Sequence, residues 1–429
     1  MNSPIKFKLC FAFVFGLASI QACSLDVART LLSVAKASDL SYYSGRNHRW
    51  IYADNSNPEE LELKQQTIKK IDKFWRAFKK DSNRLSSTKE LNYQQFVVDW
   101  FGKNLKPIDK YIMWELGPGR GETQNILTLT AESHKELRPI IDTIIERAPQ
   151  MKEWKFQAYK EPLPPDLIEG MLDSKGGYTL PAFKTVCKAT SDNRIDVIFY
   201  APSFKSANAQ KDLECCFLVC ESVLGEENLD KWLGLLETKN SQSQMKSELA
   251  ATRLSKDFNL AKQQILKKLP DQFQYDLKSP ENFVVIKLKT PLQPQRITMI
   301  TAYPNLGKSL FSDSFYSERF SKWGEKFCYL EIDRVGEFLV SDDANKFEDC
   351  LDTSLRKSQA GCVVASGKGT NTIYLDLCLK DIEKARIIIA EICGQFKLPH
   401  TAWLYFYDVT LKNEWTGIFT DTKLPDTVG

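Results

Sequence analysis

The chain has 429 residues, of which 43% are hydrophobic and 26% are charged, and its formal net charge is +3. This is the composition of a soluble globular protein, and the length exceeds one ordinary hydrophobic core, so roughly two to three domains are expected. So small a net charge gives no sign of the basic face or tail that nucleic-acid-binding proteins carry, so we expect no nucleic-acid partner.

The first 22 residues have the pattern of a secretory signal peptide. Lys6 and Lys8 supply a positive region, and Leu9–Ala18 supplies an apolar region that is too short to span a membrane. The run Ile20–Cys23 resembles a bacterial lipobox, in which the cysteine becomes the lipidated first residue of the mature protein. Lipidation of Cys23 is therefore predicted, with a membrane as partner through this anchor.

The residues beside the cysteine bear on the location. By the same resemblance, Ser24 rather than aspartate favours the outer membrane of a Gram-negative cell, with the protein facing the periplasm. Gln21 is less usual than a small residue in a lipobox, so plain secretion or a periplasmic location stays open, as does an uncleaved start in the cytosol. Beyond residue 23 the sequence has no apolar run long enough to cross a membrane.

Residues 23–110 are expected to form a helical segment. Apolar residues recur at helical spacing in Ser24–Lys36 and in Pro58–Lys80, and Ser87 with Glu90 forms a capping box ahead of a third helix.

The stretch Tyr111–Tyr159 predicts a β-hairpin followed by a helix and a strand. Its hairpin turn is the glycine-rich run Gly117–Glu122, because glycine reaches positive φ without steric cost. Ser133 and Glu136 form a capping box for a helix with apolar residues at i, i+3, i+4 and i+7. Pro139 inside that pattern indicates either a later start or a kink.

The same order of elements recurs at Gly361–Tyr407. A strand, a GKGT turn and an alternating strand lead to a helix with Asp381 as its N-cap, and Trp403 and Tyr405 stand in a final strand. Ser133 and Asp381 precede these two final strands by nearly equal lengths of chain. Two explanations stay open, a duplicated supersecondary unit and convergent packing.

The chain between these units is predicted to mix strands and helices. Phe183–Thr190 and Ile195–Tyr200 have the pattern of a hairpin, Leu213–Val223 that of a further strand, and Glu226–Glu237 that of a helix. The polar run Thr238–Lys246 predicts a domain boundary.

A long amphipathic helix around Leu254–Leu269 opens the second half. We then expect strand, strand, helix, strand and helix over Phe283–Leu288, Arg296–Ala302, Leu310–Trp323, Phe327–Ile332 and Asn345–Lys357. The predicted fold class is therefore α+β, with two α/β-sandwich-like halves that each contain a β-hairpin–helix–strand unit, preceded by an N-terminal helical segment. The domains are expected at 1–22 (signal peptide), 23–110, 111–240 and 247–429.

The cysteines show no disulfide framework. Of 11 in the sequence, all but Cys10 and Cys23 follow the predicted signal, and most of them stand in apolar segments where a thiol behaves as a small hydrophobe. An exported protein is compatible with one or two disulfides, but the sequence does not select the pairs. Cys215, Cys216 and Cys220 are close together, but without a histidine or a C-x2-C pair they indicate core packing rather than a metal site.

The run Ala302–Ser309 fits a loose form of the Walker A motif, [AG]-x4-G-K-[ST]. In a phosphate-binding loop, Lys308 would reach the phosphates and Ser309 a magnesium ion. Pro304 and Leu306 make this loop less permissive than a glycine-rich one, and an exported protein meets little ATP. We therefore expect an ordinary strand-to-helix turn here.

Other candidates for chemistry are weaker. Arg120 in the hairpin turn could form an anion-binding nest, although a plain turn is the simpler interpretation. The carboxylate pairs Asp342 with Asp343 and Glu331 with Asp333 are of a kind that glycosidases use, but acidic residues at strand ends are common. The three histidines, His48, His134 and His400, are widely spaced and show no catalytic pattern.

Part of the chain resembles an uncharacterised bacterial family that is known only as a domain of unknown function. The residues that carry this resemblance are Asp99, Trp100, the WELGP run Trp114–Pro118, Leu127–Ala131, Leu137–Pro139, Ala148, Pro149 and Trp154. The resemblance implies a bacterial source and brings no catalytic residue or known activity.

The sequence leaves the function undetermined and favours one of two classes. A non-enzymatic binding or structural lipoprotein of the cell envelope is expected, with no catalytic, cofactor-binding or metal-ligating residue and with lipidation at Cys23. The alternative is an enzyme, either a hydrolase or a nucleotide-dependent enzyme that uses the loop Ala302–Ser309.

Overall fold

A computed structural model of the protein describes residues 48–87, 92–118, 124–164, 167–168, 183–204, 209–241, 247–275, 283–287, 296–340 and 342–425. Within these ranges it has 9 helices and 13 strands, so the predicted α+β class is confirmed. The described residues divide into two compact units, one of residues 59–160 and the other of residues 48–58 together with those from 161 onward. None of the helices described here is long and apolar enough to cross a membrane. The predicted signal peptide and Cys23 lie outside these ranges and stay predictions.

The unit Glu59–Lys160 combines helices with a three-stranded sheet. Its elements are α1 (Pro58–Leu85), α2 (Tyr93–Asn104), β1 (Met113–Pro118), β2 (Asn125–Thr130), α3 (Arg138–Glu146) and β3 (Trp154–Gln157). The strand order is β1-β2-β3, with β1 antiparallel and β3 parallel to β2, which is the predicted hairpin–helix–strand arrangement. Pro139 lies in the first turn of α3, where its missing N–H costs nothing, so the helix starts later than Ser133 and is not kinked.

Aromatic side chains hold this first unit together. Trp75 and Phe78 of α1 meet Phe156 and Trp154 of β3 edge-on, with ring centroids 4.7 and 4.8 Å apart. The Trp75 indole N–H also donates to the carbonyl of Ile144 in α3 at 2.8 Å. Because such rings bury large areas, the helices that precede the hairpin belong to the same unit as the hairpin.

The second unit begins with another three-stranded sheet and its helices. These elements are β4 (Lys184–Ala189), β5 (Ile195–Ala201), α4 (Ala209–Leu224), α5 (Glu226–Trp232), β6 (Leu233–Asn240) and α6 (Ser247–Lys268). Val197, Val219 and Leu254 lie in one core, so the chain before and after Thr238–Lys246 packs together. The compact units therefore differ from the predicted division into 23–110, 111–240 and 247–429.

Two predictions in this region were wrong, one of them in part. The helix expected over Glu226–Glu237 ends at Trp232 as α5, and the residues from Leu233 onward form β6. Leu213–Val223 was expected as a strand, whereas α4 covers these residues. Cys216, Val219, Cys220 and Val223 are all buried, and their spacing of three and four residues places them on one face of a helix. A short apolar run of this kind is compatible with either a buried strand or a buried helix, and here its packing in the core stabilises the helix.

The rest of the second unit is built around a seven-stranded sheet. Its elements are β7 (Val284–Lys287), β8 (Thr298–Thr301), α7 (Pro304–Leu310), β9 (Lys326–Asp333), α8 (Asp342–Lys357), β10 (Gly361–Lys368), β11 (Thr372–Leu379), α9 (Ile382–Gln395), β12 (Ala402–Phe406) and β13 (Trp415–Gly417). The strand order is β13-β12-β9-β11-β10-β8-β7, and every neighbouring pair is antiparallel.

The helix expected over Leu310–Trp323 was also wrong. The helix α7 ends at Leu310, and only a short 3-10 turn at Ser317–Arg319 follows. The Ser317 N–H and hydroxyl donate to the two carboxylate oxygens of Asp408, at 2.8 and 2.5 Å. Hydrogen bonds of this type compete with those of a helix, so the segment forms turns instead.

The predicted second hairpin–helix–strand unit is present with one difference. β10, β11, α9 and β12 follow one another as expected, but β9 lies between β11 and β12. In the first unit, by contrast, β3 pairs directly with β2. The elements β4, β5, α4, α5 and β6 repeat the direct arrangement of the first unit, with two helices in place of one, since β6 runs parallel to β5.

Helices cover one face of the seven-stranded sheet. Leu330 of β9, Leu375 of β11 and Leu404 of β12 pack there against Phe347 of α8 and Ile389 of α9. Because side chains alternate along a strand, the residues between them project from the opposite face, where none of these helices lies.

Candidate functional site

The face of the sheet opposite α8 and α9 collects polar and aromatic residues from three strands. Glu331 of β9 lies between its register partners, Tyr374 of β11 and Trp403 of β12. In the next row Tyr329 lies between Asp376 and Tyr405. A further row pairs Asp333 with Thr372. Directly opposed side chains have Cβ atoms about 5 Å apart, so these rows form one continuous surface.

We call Glu331 with Tyr329, Tyr374 and Tyr405 the tyrosine well. The Tyr329 ring stacks on Tyr405 with centroids 4.9 Å apart, and it lies 6.4 Å from Tyr374. A glutamate side chain is shorter than a tyrosine side chain, so the Glu331 carboxyl lies low between the rings. Tyr374 is buried, whereas Glu331, Tyr329 and Tyr405 are half-buried and retain access to solvent.

The Glu331 carboxyl is the unusual group of this surface. Burial, and after it the nearby charge of Asp333, raises its pKa from 4.5 to about 7. No described side chain donates a hydrogen bond to this carboxyl, and no described lysine or arginine forms an ion pair with it. Half-buried carboxylates normally have such partners, so Glu331 is a candidate ligand-binding group.

The tyrosine hydroxyls remain protonated around this carboxyl. Burial, followed by the charge of Glu331, raises the pKa of both Tyr374 and Tyr405 above the ordinary value. Both hydroxyls are therefore hydrogen-bond donors at neutral pH.

A buried ion pair fixes the floor beside the well. The Arg296 guanidinium donates to both carboxylate oxygens of Asp376 at 2.8 and 2.6 Å, and neither side chain is exposed. The Tyr407 hydroxyl donates to the same carboxylate. Burial alone would lower the pKa of Arg296, but Asp376 and Tyr407 outweigh it and raise that pKa. Arg296 also lies 5.3 Å from the centre of the Tyr374 ring, so the pair supports one wall of the well.

Gly367 makes room for this ion pair. A Cβ at Gly367 would lie 2.5 Å from Arg296 Nε and 2.4 Å from the carbonyl oxygen of Thr298. Any larger residue would therefore push the guanidinium away from Asp376.

The other side of the surface is closed by tryptophans. The Trp403 indole N–H donates to the carbonyl of Lys423 at 2.8 Å. Trp415 belongs to the neighbouring strand β13, and the Arg49 guanidinium lies 3.7 Å from the centre of its ring. Both tryptophans are buried, so the half-buried tyrosines mark the accessible part of this face.

Asp333 differs from Glu331 in having partners. One carboxylate oxygen accepts from the Thr372 hydroxyl at 3.0 Å, and the other lies 3.6 Å from Arg334. Glu331 and Asp333 are thus brought onto one face, as the carboxylate pair noted in the sequence, but only Glu331 is free of such partners in the described structure. A pair of equivalent acid and base groups is not formed.

The other sequence candidates do not join this site. Asp342 and Asp343 are exposed in the first turn of α8, and Asp343 forms an ion pair with Lys346 at 2.8 Å. His134 stacks on Tyr111 in the first unit. Arg120, the candidate residue for an anion-binding nest, lies outside the described residues, as does Cys23.

Two further candidates are accounted for by packing or position. His400 stacks on Phe419 and contacts the Asp421 carboxylate at 2.8 Å, away from the well. His48 is exposed. Cys215, Cys216 and Cys220 lie in the core around α4. The described residues contain no group of histidine, cysteine and carboxylate side chains arranged to hold a metal ion.

The Walker-like run has helical rather than loop geometry. Ala302 follows β8, but α7 begins at Pro304, and the Gly307 N–H already donates to the Tyr303 carbonyl at 2.8 Å. The Ser309 hydroxyl donates to the backbone carbonyl of Asn305, one helical turn earlier, at 2.7 Å. A phosphate loop needs free N–H groups where the helix starts, and here Gly307 and Ser309 are already inside the helix.

Comparison of the chain with protein-family models, with curated proteins and with solved structures gave no match. The tyrosine well therefore rests on its own geometry. Sequence reasoning noted Glu331 but missed its neighbours. The sequence did contain a signal, because Tyr329 and Glu331, like Tyr405 and Tyr407, are two residues apart and so lie on one face of their strand. Placing the two strands side by side required the strand order.

Proposed function

We propose that this protein is a binding protein of the cell envelope, whose ligand presents a cationic group, an ammonium or a guanidinium, to the tyrosine well. Lipidation at Cys23 anchors it in this proposal, and the outer membrane with the protein facing the periplasm is the preferred location. A secreted or periplasmic protein without lipid is the alternative. The observation that carries the proposal is the Glu331 carboxyl, which lacks a cationic or hydrogen-bonding partner among the described residues.

Charge favours a cation in this position. Glu331 and Asp333 are both acidic, Asp376 is neutralised by Arg296, and only the exposed Arg334 balances Asp333. A ligand cation about 4 Å from the Glu331 carboxylate would gain about 4 kcal/mol at the effective dielectric of a protein surface, before the cost of desolvation. An anion would meet repulsion from the same carboxylates.

The aromatic walls favour the same ligand class. Tyrosine rings attract cations through their negative faces by about 0.5–2 kcal/mol, depending on solvent exposure. The hydroxyls of Tyr374 and Tyr405 can in addition accept hydrogen bonds from an ammonium or donate them to an oxygen nearby in the ligand. The one carboxylate near Glu331, that of Asp333, is held by Thr372 and Arg334. A single unpartnered carboxyl among aromatic rings is better suited to binding a cation than to a reaction that needs a free acid and a free base.

The proposal is tested with small probes. Choline and butylammonium carry the cation, and 3,3-dimethylbutanol has the shape of choline without its charge. We expect the two cations to bind with Kd on the order of 1 mM, as suits so few contacts. NMR titration of the purified protein at pH 8 measures each affinity.

Two variants make this test specific. Glu331→Gln keeps the shape of the side chain and should weaken choline binding by about 10-fold to 100-fold, the usual effect of losing a charged partner. Glu348→Gln is the matched control, because Glu348 is a half-buried carboxyl of α8 whose pKa is also raised to about 7, chiefly by burial. This control should bind as the wild type does. Equal binding of the neutral isostere, equal binding by Glu331→Gln, or no binding of either cation would overturn the proposal.

The envelope location has its own test. The mass of the mature N-terminal peptide from the native host should carry a diacylglyceryl or triacyl group on Cys23. An N-terminus that begins at Cys23 without lipid would support the secreted alternative, and one that retains Met1 would contradict export. These outcomes are independent of the choline titration.

A further inference from the structure

Two thiols face each other across the centre of the seven-stranded sheet. Cys362 of β10 and Cys378 of β11 are direct register partners in an antiparallel pair. Both are free thiols. They are separate from the tyrosine well. Both strands are central in the strand order, but along the strands the two cysteines lie at the end where Phe327 packs.

Their surroundings isolate the two thiols as a pair. Both are at most 1% exposed and pack in the cluster that contains Met299, Leu306 and Phe327. Cys328 is also fully buried nearby, but its register partner is Leu377, so it projects from the opposite face, toward α8 and α9. Cys378 therefore has Cys362 as its neighbour on this face.

The spacing is close to that of a disulfide without matching it. Directly opposed residues of an antiparallel pair have Cβ atoms about 4.5–5.5 Å apart, whereas disulfides prefer about 3.8 Å. A β-bulge between Val363 and Ala365 follows directly after Cys362. Bulges bend and twist a strand locally, so the backbone of β10 departs from regular strand geometry close to Cys362.

We propose that Cys362 and Cys378 are a disulfide-forming pair, oxidised by low-molecular-weight disulfides such as oxidised glutathione. One thiol loses its proton, and the thiolate attacks the disulfide R–S–S–R and releases RS⁻, which takes up that proton. The second cysteine then gives up its proton as it attacks the mixed disulfide and releases a second RSH. Two cysteine thiols are oxidised, and one R–S–S–R is reduced to two RSH.

The strain expected in such a bond makes it reducible. A disulfide that draws two strands together beyond their normal spacing returns to thiols more readily than an unstrained structural disulfide. Burial of both sulfurs means that exchange requires local opening of the sheet or takes place during folding. The inference is independent of the proposed ligand and of lipidation.

The test is refolding under a defined thiol–disulfide balance. Reduced, unfolded protein is refolded in excess oxidised glutathione, quenched in acid and alkylated, and then reduced and alkylated with a heavier reagent. Trypsin separates the two cysteines, because cleavage after Lys357, Lys368 and Lys380 leaves Cys362 in peptide 358–368 and Cys378 in peptide 369–380. We expect these two peptides to be linked before reduction and to carry the heavy label after it.

Variants distinguish pairing from general thiol reactivity. Cys328→Ser should leave the link intact, and Cys362→Ser should abolish it. An excess of reduced glutathione should reopen the bond in the folded protein. The proposal is overturned if both peptides carry the light label, if each carries glutathione separately, or if either is linked instead to another cysteine.

Discussion

Replacement of Glu331 by glutamine should make the protein more stable at alkaline pH. The pKa of Glu331 in the folded protein is raised to about 7 from 4.5, so folding favours its protonated form. The stability that this group contributes is fully present below about pH 4.5 and is lost as the pH rises through about 7. Glutamine resembles the protonated form and does not titrate, so Glu331→Gln should retain this stability at every pH.

The pKa sets an upper limit on the effect. The interval from 4.5 to about 7 corresponds to about 3 kcal/mol, because one pH unit is worth about 1.4 kcal/mol. The carboxyl is half-buried, and solvent screening reduces this value, so we expect about 1–2 kcal/mol at pH 8. At pH 4 the variant and the wild type should be equally stable.

Urea unfolding at pH 4, 5, 6, 7 and 8 measures the difference between the two proteins. Glu348→Gln should show a similar gain with pH, because the pKa of Glu348 is also raised to about 7. Only Glu331→Gln should in addition lose choline binding. A Glu331→Gln difference that is the same at every pH, or that makes the protein less stable at pH 8, would refute the reasoning.

Three further predictions concern Arg296, Gly367 and Lys308. Arg296→Met leaves Asp376 buried without its partner and should lower the free energy of unfolding by about 3–5 kcal/mol in urea titrations, whereas adding Asp376→Leu should restore most of it. Gly367→Ala should cost about 1–3 kcal/mol in the same assay, since its Cβ would lie 2.5 Å from Arg296 Nε. Lys308→Ala should change stability by less than about 0.5 kcal/mol and leave any ATP-induced shift in thermal unfolding unchanged, because Lys308 is exposed on α7.

Local patterns predicted much of the fold. Alternation identified β9, β11 and β12, and the capping residue Asp381 marked the start of α9, where its side chain accepts from the Lys384 N–H. These features depend on residues close together in sequence. The helix α4 was mistaken for a strand because the run Leu213–Val223 is short, and its apolar residues fit both the two-residue period of a strand and the 3.6-residue period of a helix.

The site depended on contacts that are distant in sequence. Glu331 meets Tyr374 and Trp403 only because β9 lies between β11 and β12, although β9 precedes both in the chain. Arg296, just before β8, reaches Asp376 of β11 because β10 is the one strand between β8 and β11. The sequence contained each of these residues, but no local rule specifies the order of strands in an antiparallel sheet of seven strands. The carboxylate pair was therefore visible in the sequence, and its aromatic surroundings were not.

The titration of the Glu331 carboxyl itself tests the central claim most directly. Side-chain carbon NMR of protein labelled at glutamate, assigned with Glu331→Gln, follows this one group from pH 4 to pH 9. We expect a pKa of about 7 in the free protein, which falls when choline is added and stays unchanged with 3,3-dimethylbutanol. A Glu331 pKa near the ordinary value that choline does not move would contradict a cation-binding well at this face.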